Sequence, residues 1–232
     1  FYDSVISNYF NIVSNKQFPE KKVIHAKLVE RLRYGENPHQ ESALYSQNNN
    51  LNIKKIHGKS LSYNNYNDIF SALNITKSFP KNKGTVIIKH ANPCGVSILD
   101  KNINSYKSAL ACDPISAFGG IVACNFKITK SLAQELKKIF FEVIIANGFD
   151  KNALKILKIK KNLRLVDSSD FFIEKKNKFN SINNSILVQS EDNEDFLKKD
   201  FRLVSKKKPN RSQFENLIFA FNVCRFVKSN AI

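Results

Sequence analysis

Residues 89–95, Lys-His-Ala-Asn-Pro-Cys-Gly, hold the greatest concentration of chemically capable side chains in the sequence. They follow Val86-Ile87-Ile88, a β-branched apolar run typical of a buried strand. The His90 imidazole can accept a proton near neutral pH, and the Lys89 ammonium can stabilise developing negative charge. The Asn-Pro-Cys-Gly segment favours a β-turn, at the carboxyl end of a strand where open α/β sheets bind ligands. The residues therefore indicate either a catalytic pair or a basic pair that only solvates a strand end.

A second stretch, Asp113-Pro-Ile-Ser-Ala-Phe-Gly-Gly120, combines two turn-forming dipeptides. The chain has only seven glycines, and three of them, Gly95, Gly119 and Gly120, lie in this stretch and the preceding one. Glycine permits backbone conformations and close ligand approach that other residues do not. On spacing alone, a tight helix-to-strand connection explains this stretch better than a ligand site does.

A third stretch, Arg31 to Gln40, places Arg31 and Arg33 beside the turn-forming residues Gly35-Glu-Asn-Pro38. Arginine makes bidentate contacts with phosphate that lysine does not reproduce. The stretch predicts a site for an anionic small molecule, and a hairpin with solvated charges accounts for it equally well.

The sequence offers little support for a metal or a common nucleotide loop. His90, Cys94 and Cys124 could be imagined as metal ligands, but their spacing matches no established ligand pattern. Neither a G-x-x-x-x-G-K-[ST] loop nor a G-x-G-x-x-G motif occurs.

Composition excludes several classes of protein. The 232 residues are 42% hydrophobic and 25% charged, which is ordinary for a globular protein and unlike a disordered or collagen-like chain. No apolar run reaches the roughly 18 residues that a membrane helix needs, and no charged-then-apolar leader opens the chain. The four cysteines include no C-x-x-C pair. We expect a reducing, cytoplasmic setting without a membrane.

The basic balance leaves a different function class open. Lys and Arg total 37 and Asp and Glu total 20, which gives a formal net charge of +17. That charge would suit a nucleic-acid-binding module. Only six of the basic residues are Arg, they are scattered, and Lys, Asn, Ile and Phe are all abundant, as an A/T-rich coding sequence would produce. We therefore treat nucleic-acid binding as the alternative and expect no nucleic-acid partner.

Hydrophobic periodicity predicts an α/β fold of alternating strands and helices. The predicted helices span residues 1–14, 65–79, 104–111, 129–140 and 150–158. The predicted strands span residues 23–32, 85–88, 120–124, 143–146 and 162–166. Residues 173–184 are polar and are predicted to form a loop. Ser212-x-x-Glu215 is a capping box that begins a last helix, predicted to be central and buried.

Seven segments occur together and in order in one known family: 33–40 (RYGENPHQ), 61–65 (LSYNN), 89–96 (KHANPCGV), 113–120 (DPISAFGG), 142–146 (EVIIA), 187–189 (LVQ) and 226–232 (FVKSNAI). The chain resembles the transformylase part of the PurH family, the bifunctional purine biosynthesis proteins. The resemblance spans essentially the whole chain, and its set of ordered matches is highly specific.

The resemblance implies transfer of a formyl group from 10-formyltetrahydrofolate to the 5-amino group of AICAR, 5-aminoimidazole-4-carboxamide ribonucleotide. It implies that His90 accepts the amine proton, that Lys89 stabilises the transition state and that Asn230 holds the carboxamide. An aryl amine conjugated with a carboxamide is a poor nucleophile, so a positioned base matters. The tetrahedral intermediate carries an oxyanion, so a neighbouring cation matters.

The resemblance also implies that Arg33, Tyr34, Gly119 and Glu142 contact the nucleotide. In this family the transformylase has a fold similar to cytidine deaminase, built as two related α/β subdomains. It acts as a homodimer, with the folate as co-substrate and without a metal. We expect the same of this chain.

The resemblance further implies a domain division into residues 1–20, a helix that connects to a cyclohydrolase (hydrolase) domain, residues 21–190, the first transformylase subdomain, and residues 191–232, the incomplete start of the second. The chain begins with Phe, contains no Met and holds neither the cyclohydrolase domain nor the family's later Gly-rich segment. We expect a fragment, one half of a split enzyme or the product of a decayed gene. As a truncated chain it is expected to be inactive alone and to need a carboxyl-terminal complement.

Overall fold

The computed structural model describes residues 2–14, 17–47, 50–173, 177–192 and 196–227. The chain forms two compact units. The first consists of Phe1–Asn52 with Leu61–Tyr63, and the second of Ile53–Ser60 with Asn64–Ile232. The division expected at residues 20 and 190 refers to the domains of the family, and it stays a prediction.

The first unit contains one helix and one strand pair. Helix α1 (Tyr2–Val13) confirms the helix predicted at the start of the chain. Strands β1 (Lys27–Leu32) and β2 (Ser42–Ser46) pair in antiparallel fashion. Strand β1 is shorter than predicted, because residues 23–26 lie outside it.

The second unit is built on a six-stranded mixed sheet, which confirms the α/β class. Its strands are β3 (Lys54–His57), β4 (Gly84–Lys89), β5 (Asn92–Ile98), β6 (Ile121–Cys124), β7 (Val143–Ala146) and β8 (Arg164–Asp167). They lie in the order β3-β8-β7-β6-β4-β5. Strands β6, β7 and β8 are parallel, whereas β4 is antiparallel to both of its neighbours and β3 is antiparallel to β8.

Helices connect the strands and bury the sheet. They are α2 (Tyr63–Lys77), α3 (Asn102–Cys112), α4 (Lys130–Leu136) and α5 (Lys151–Leu157). Ile87, Val122 and Ile144 share a core cluster with residues from α3, α4 and α5. Their neighbours along the strands, such as Val86 and Ile145, point the other way and are also fully buried. Both faces of the central strands β4, β6 and β7 are therefore covered, which explains why these strands are largely apolar runs.

Three sequence predictions in the second unit were wrong in part. Residues 173–184, predicted as a loop, contain β9 (Asn177–Ile182), which pairs with the following strand β10 (Ser185–Ser190) in a hairpin. The last helix, α6 (Arg211–Cys224), has no buried residue, so it is not the central helix that its apolar composition suggested. Its capping box uses Asn210 and Gln213 in place of the predicted pair, Ser212 and Glu215.

None of the helices that the structure describes is long and apolar enough to cross a membrane.

Candidate active site

The Lys89-His90 segment lies at a tight hairpin turn between β4 and β5. Lys89 pairs with Asn92 across the two strands, which leaves His90 and Ala91 as the two turn residues. Both have a left-handed backbone, with φ of 53° and 60°. This is the backbone of a type I′ turn, which normally selects Asn-Gly. A left-handed conformation costs a residue with a Cβ about 1–2 kcal/mol, so contacts outside the turn must hold it.

The sequence placed the turn differently. It predicted the turn within Asn92–Gly95, but those residues belong to β5. Gly95 has another role there, because a Cβ at this position would overlap the backbone carbonyl oxygen of Ala109 in α3. The glycine allows helix α3 to lie close against the strand.

Asp68 of α2 supplies one contact that holds the turn. The backbone N–H of Ala91 donates a 2.7 Å hydrogen bond to Oδ1 of Asp68. Burial raises the pKa of Asp68 from its ordinary value, although hydrogen bonding from the Ala91 backbone and the charge of His90 act in the opposite direction. A carboxylate that accepts from a backbone N–H forms one of the stronger hydrogen bonds in proteins.

Lys89 connects the hairpin to the Asp113–Gly120 loop. Its Nζ donates a 2.9 Å hydrogen bond to the carbonyl oxygen of Phe118. The next residue, Gly119, has φ of 73° and donates its N–H to the carbonyl oxygen of Phe140 at 2.8 Å. The positive φ explains the glycine, since other residues adopt this backbone only at a cost.

Glu142 immediately precedes β7 and is held by two side chains. Its Oε2 accepts a 2.9 Å hydrogen bond from Nδ2 of Asn65 and lies 3.6 Å from Nη1 of Arg164. Asn65 is buried on α2, one helical turn before Asp68. The same helix therefore contacts both Glu142 and the turn that carries His90.

Strand register brings these features to one edge of the sheet. Ile88 lies opposite Ile121, Ile121 lies opposite Val143, and Val143 lies opposite Arg164. The end of β4 is therefore adjacent to the beginnings of β6, β7 and β8. Four residues proposed from the sequence meet along this edge: Lys89, His90, Gly119 and Glu142.

The direction of the strands corrects the expected position of the site. Lys89 and His90 do follow the carboxyl end of a strand, as predicted. However, β4 runs antiparallel to β6, so the parallel strands β6–β8 have their amino ends at this edge. The rule for ligand sites in parallel sheets does not describe such an edge. The site is formed by the hairpin and by the loops that lead into the strands.

Arg33 and Tyr34 lie in the first unit, in the turn between β1 and β2. The Arg33 guanidinium carbon is 5.5 Å from the centre of the Tyr34 ring, and Arg33 is exposed. Ser42 Oγ donates a 2.7 Å hydrogen bond to the Tyr34 carbonyl oxygen, and Gly35 and Gln40 close the turn through a 2.8 Å backbone bond. The turn is well defined and leaves the guanidinium accessible to an anion.

A cavity of about 620 Å³ opens beside the hairpin turn in the second unit. Helix α2, the β9–β10 hairpin and the end of α6 surround it. Its lining is polar and apolar in equal parts and carries charges of both signs, from Lys77, Lys178, Arg225, Glu191 and Asp192. Ala91 of the turn also reaches it. The cavity can accommodate a polar small molecule.

Comparison with known proteins identifies the family. The family model described as AICARFT/IMPCHase bienzyme matches residues 1–232, which is the whole chain. The chain belongs to this family.

Curated relatives agree with the family assignment. The chain is 42% identical to the bifunctional purine biosynthesis protein PurH of Caldicellulosiruptor saccharolyticus, over 100% of the chain and 47% of that relative. It is 41% identical to the PurH of a Thermoanaerobacter species and 38% identical to that of Oceanobacillus iheyensis, each over 100% of the chain and 46% of the relative. The chain thus spans about half the length of these PurH relatives.

One of the residues proposed from the resemblance to PurH has no structural description. Asn230 lies outside the described residues. Its role as the group that holds the substrate carboxamide stays a prediction.

Two site residues were missed in the sequence. Asp68 holds the His90–Ala91 turn, and Asn65 holds Glu142. An isolated Asp on a helix usually lies in solvent, and the Asn64-Asn65 pair shows no decisive chemistry by itself. The sequence did show that Asn65 and Asp68 are three residues apart, and residues at this spacing lie on one face of a helix. That spacing was the signal that could have grouped them.

The structure gives no positive indication of a metal. Among the residues it describes, no three His, Cys, Asp or Glu side chains are grouped as metal ligands would be. Burial raises the pKa of the Cys94 thiol, which donates to the carbonyl oxygen of Ile87 at 3.5 Å. The metal-free site expected for a PurH transformylase stays a prediction.

Proposed function

We propose that the chain acts in purine biosynthesis and carries part of the site that transfers a formyl group from 10-formyltetrahydrofolate to AICAR. The observation that supports this most is the Lys89-His90 hairpin, fixed at one sheet edge beside Gly119 and Glu142, in a chain of the AICARFT/IMPCHase family. The matched relatives are named bifunctional purine biosynthesis proteins.

The proposed reaction needs a base and a cation at neighbouring positions. The 5-amino nitrogen of AICAR attacks the formyl carbon, and the exposed His90 imidazole accepts the proton that the amine loses. The carbonyl oxygen becomes an oxyanion, which Lys89 stabilises. The bond from the formyl carbon to the folate nitrogen then breaks, and that nitrogen takes up a proton.

Lys89 is suited to this role because its position is defined. An ammonium group has three N–H donors, and one of them is used on the Phe118 carbonyl oxygen. The other two can point to an oxyanion without loss of this anchor. A preorganised donor stabilises a transition state better than one that must reorient.

Substrate binding is proposed for five further residues. Arg33 and Tyr34 bind the nucleotide, with the Arg33 guanidinium suited to its phosphate. Gly119 and Glu142 also contact the nucleotide, and Asn230 holds the carboxamide. Glu142 is a suitable acceptor for nucleotide hydroxyls, because Asn65 and Arg164 both engage its Oε2 and so fix the carboxylate.

Other properties of the family are extended to this chain as proposals. They are a fold similar to cytidine deaminase, a homodimer, a cytoplasmic location and the domain division at residues 20 and 190. The family is described as a bienzyme whose second activity is the IMPCHase, the cyclohydrolase. We propose that the residues responsible for that second activity are not part of this chain.

A second candidate is a non-catalytic half of a split enzyme. The observation that favours it is the span of the chain, which covers only 46–47% of the relatives it matches. In this alternative the chain binds the nucleotide or a partner but supplies no catalytic group.

A formyl-transfer assay separates the two candidates. The purified chain is assayed with AICAR and 10-formyltetrahydrofolate, alone and mixed with a separately expressed complement, the carboxyl-terminal segment of the Caldicellulosiruptor PurH that lies beyond the region matching this chain. We expect no turnover by the chain alone and turnover by the mixture. If the mixture is active but a His90→Asn chain in it is equally active, the chain is a non-catalytic half. If the chain and the complement bind each other and AICAR without any turnover, the proposed activity is wrong.

A further inference from the structure

We propose that Asp68 is a positioning residue for His90: its carboxylate holds the His90–Ala91 turn in the left-handed conformation from which the imidazole meets the substrate. This inference rests on the proposed function for the role of His90, but the hold of Asp68 on the turn can be tested without any reaction.

The turn has an unusual sequence for its backbone. Two consecutive residues at positive φ, His90 at 53° and Ala91 at 60°, are normally Asn and Gly. Histidine is among the residues found more often at positive φ. Alanine has a Cβ that crowds the backbone in this region and no polar side chain that could compensate by a local hydrogen bond. An energetic penalty therefore falls on Ala91, next to the proposed catalytic residue.

The compensating contact is made at the same residue. The Ala91 N–H donates to Asp68 Oδ1 at 2.7 Å, and hydrogen bonding from the His90 backbone also acts on this carboxylate. The residue that bears the penalty is therefore the one whose N–H the Asp68 carboxylate holds. Residues held in a sparsely populated backbone conformation persist only where their surroundings determine them, and such positions occur often at active sites.

Helix α2 gives the contact its rigidity. Ile69 and Ala72, which follow Asp68 along the helix, are completely buried, so the helix is fixed against the core. One turn earlier, Asn65 of the same helix binds Glu142. The charged groups that act on the Asp68 carboxylate are His90 and Glu142. A single buried helix therefore sets the positions of both the proposed base and a proposed nucleotide contact.

Amide hydrogen exchange measures the hold on the turn in the chain as it exists. The variants are Asp68→Ala, Asp68→Asn and, as a carboxylate control at an exposed site, Asp170→Ala. Asp68→Ala should speed exchange of the Ala91 N–H by at least about tenfold, because it loses a hydrogen bond to a charged group. Asp68→Asn keeps an acceptor oxygen and should retain most of the protection. Equal protection in Asp68→Ala and the parent would overturn the proposal.

Turnover by the chain mixed with the complement measures how the loss of the Asp68 contact affects the reaction at His90. Asp68→Ala should lower kcat by about 10²-fold, as misplacement of a catalytic group by about an ångström does, with a much smaller change in KM for AICAR. Asp68→Asn, which keeps an acceptor oxygen, should lose much less kcat than Asp68→Ala, and Asp170→Ala should stay close to the parent.

The double variant Asp68→Ala/Ala91→Gly distinguishes positioning from general destabilisation. Glycine removes the penalty on the left-handed turn, so it should restore much of the kcat lost in Asp68→Ala. No rescue, with a normal fold by circular dichroism, would contradict the positioning role. If His90→Asn proves fully active, the proposed function fails, while the exchange experiment still decides whether Asp68 holds the turn.

Discussion

The Lys89 ammonium donates a 2.9 Å hydrogen bond to the carbonyl oxygen of Phe118, which joins the strand end before His90 to the loop that contains Gly119. The base, the cation and a nucleotide contact proposed for formyl transfer are therefore parts of one connected structure. The Asp68 contact to the Ala91 N–H fixes the turn independently, so the position of His90 does not depend on the Lys89 side chain alone.

Lys89→Gln separates the charge of this side chain from its anchoring bond. The glutamine amide can still donate to Phe118, but it carries no positive charge for an oxyanion. We expect kcat of the chain mixed with the complement to fall by about 10²–10³, the usual loss on removal of an oxyanion donor. Affinity for AICAR, measured by isothermal titration calorimetry, should change much less. A kcat within about twofold of the parent would remove Lys89 from the chemical step.

In the chain mixed with the complement, Arg33→Ala should weaken binding of AICAR and leave folate binding nearly intact. Loss of a charge-assisted hydrogen bond to phosphate corresponds to a rise in Kd of about 10–100-fold. Arg33→Lys, which keeps the charge but not the bidentate geometry, should fall in between. Calorimetry with each ligand measures both effects, and equal loss of the two ligands would indicate a folding defect instead.

Asn125 should be important for stability rather than for the reaction. This buried side chain accepts from the N–H groups of Lys83 and Gly84 at 3.0 and 2.8 Å, and donates to the carbonyl oxygens of Thr76 and Pro80, both at 3.0 Å. Asn125→Ala leaves several of these groups unsatisfied and should lower the free energy of unfolding by about 3 kcal/mol.

Urea denaturation followed by circular dichroism measures that loss. Asn180→Ala, at an exposed position of β9, is the matched control and should change the unfolding free energy by less than about 0.5 kcal/mol. Similar small losses in both variants would show that the Asn125 network contributes little.

Asp68 should make the stability of the chain depend on pH. Burial raises its folded-state pKa above the ordinary value of 3.8, so the folded state binds a proton more readily than the unfolded state. The contribution of this group to stability is therefore greatest below 3.8 and is lost as the pH rises through the folded-state pKa. Relative to Asp68→Asn, the parent should lose unfolding free energy between acidic and neutral pH. Parallel pH profiles of the two proteins would contradict the raised pKa.

Much of the sheet could be predicted from the sequence, because its buried strands are uninterrupted apolar runs. Val143-Ile-Ile-Ala146 is such a run, and it forms β7 with the predicted bounds. Parallel strands buried on both faces produce this pattern directly. The β9–β10 hairpin is exposed along most of its length. The residues of β9 therefore show neither an apolar run nor an alternation of apolar and polar side chains that would predict a strand.

The turn at the site could not be predicted from local preferences. Asn-Pro-Cys-Gly is a good turn sequence, but Gly95 is required where α3 approaches β5, and Asp68 fixes the turn at Ala91. Both contacts join residues that are distant in sequence. Tertiary contacts of this kind override a local turn preference, and only the structure shows them.

The central claim is that His90 is the proton acceptor, and single-turnover formyl transfer at saturating AICAR and folate tests it most directly. The chain is mixed with the complement, the PurH segment beyond the matched region, and the parent is compared with His90→Asn. Asparagine is chosen because it favours the left-handed turn but is not a base. His25→Asn is the matched control. We expect His90→Asn to reduce the rate constant by about 10²–10⁴ and His25→Asn to leave it near that of the parent. A rate constant for His90→Asn within about twofold of the parent would contradict the account.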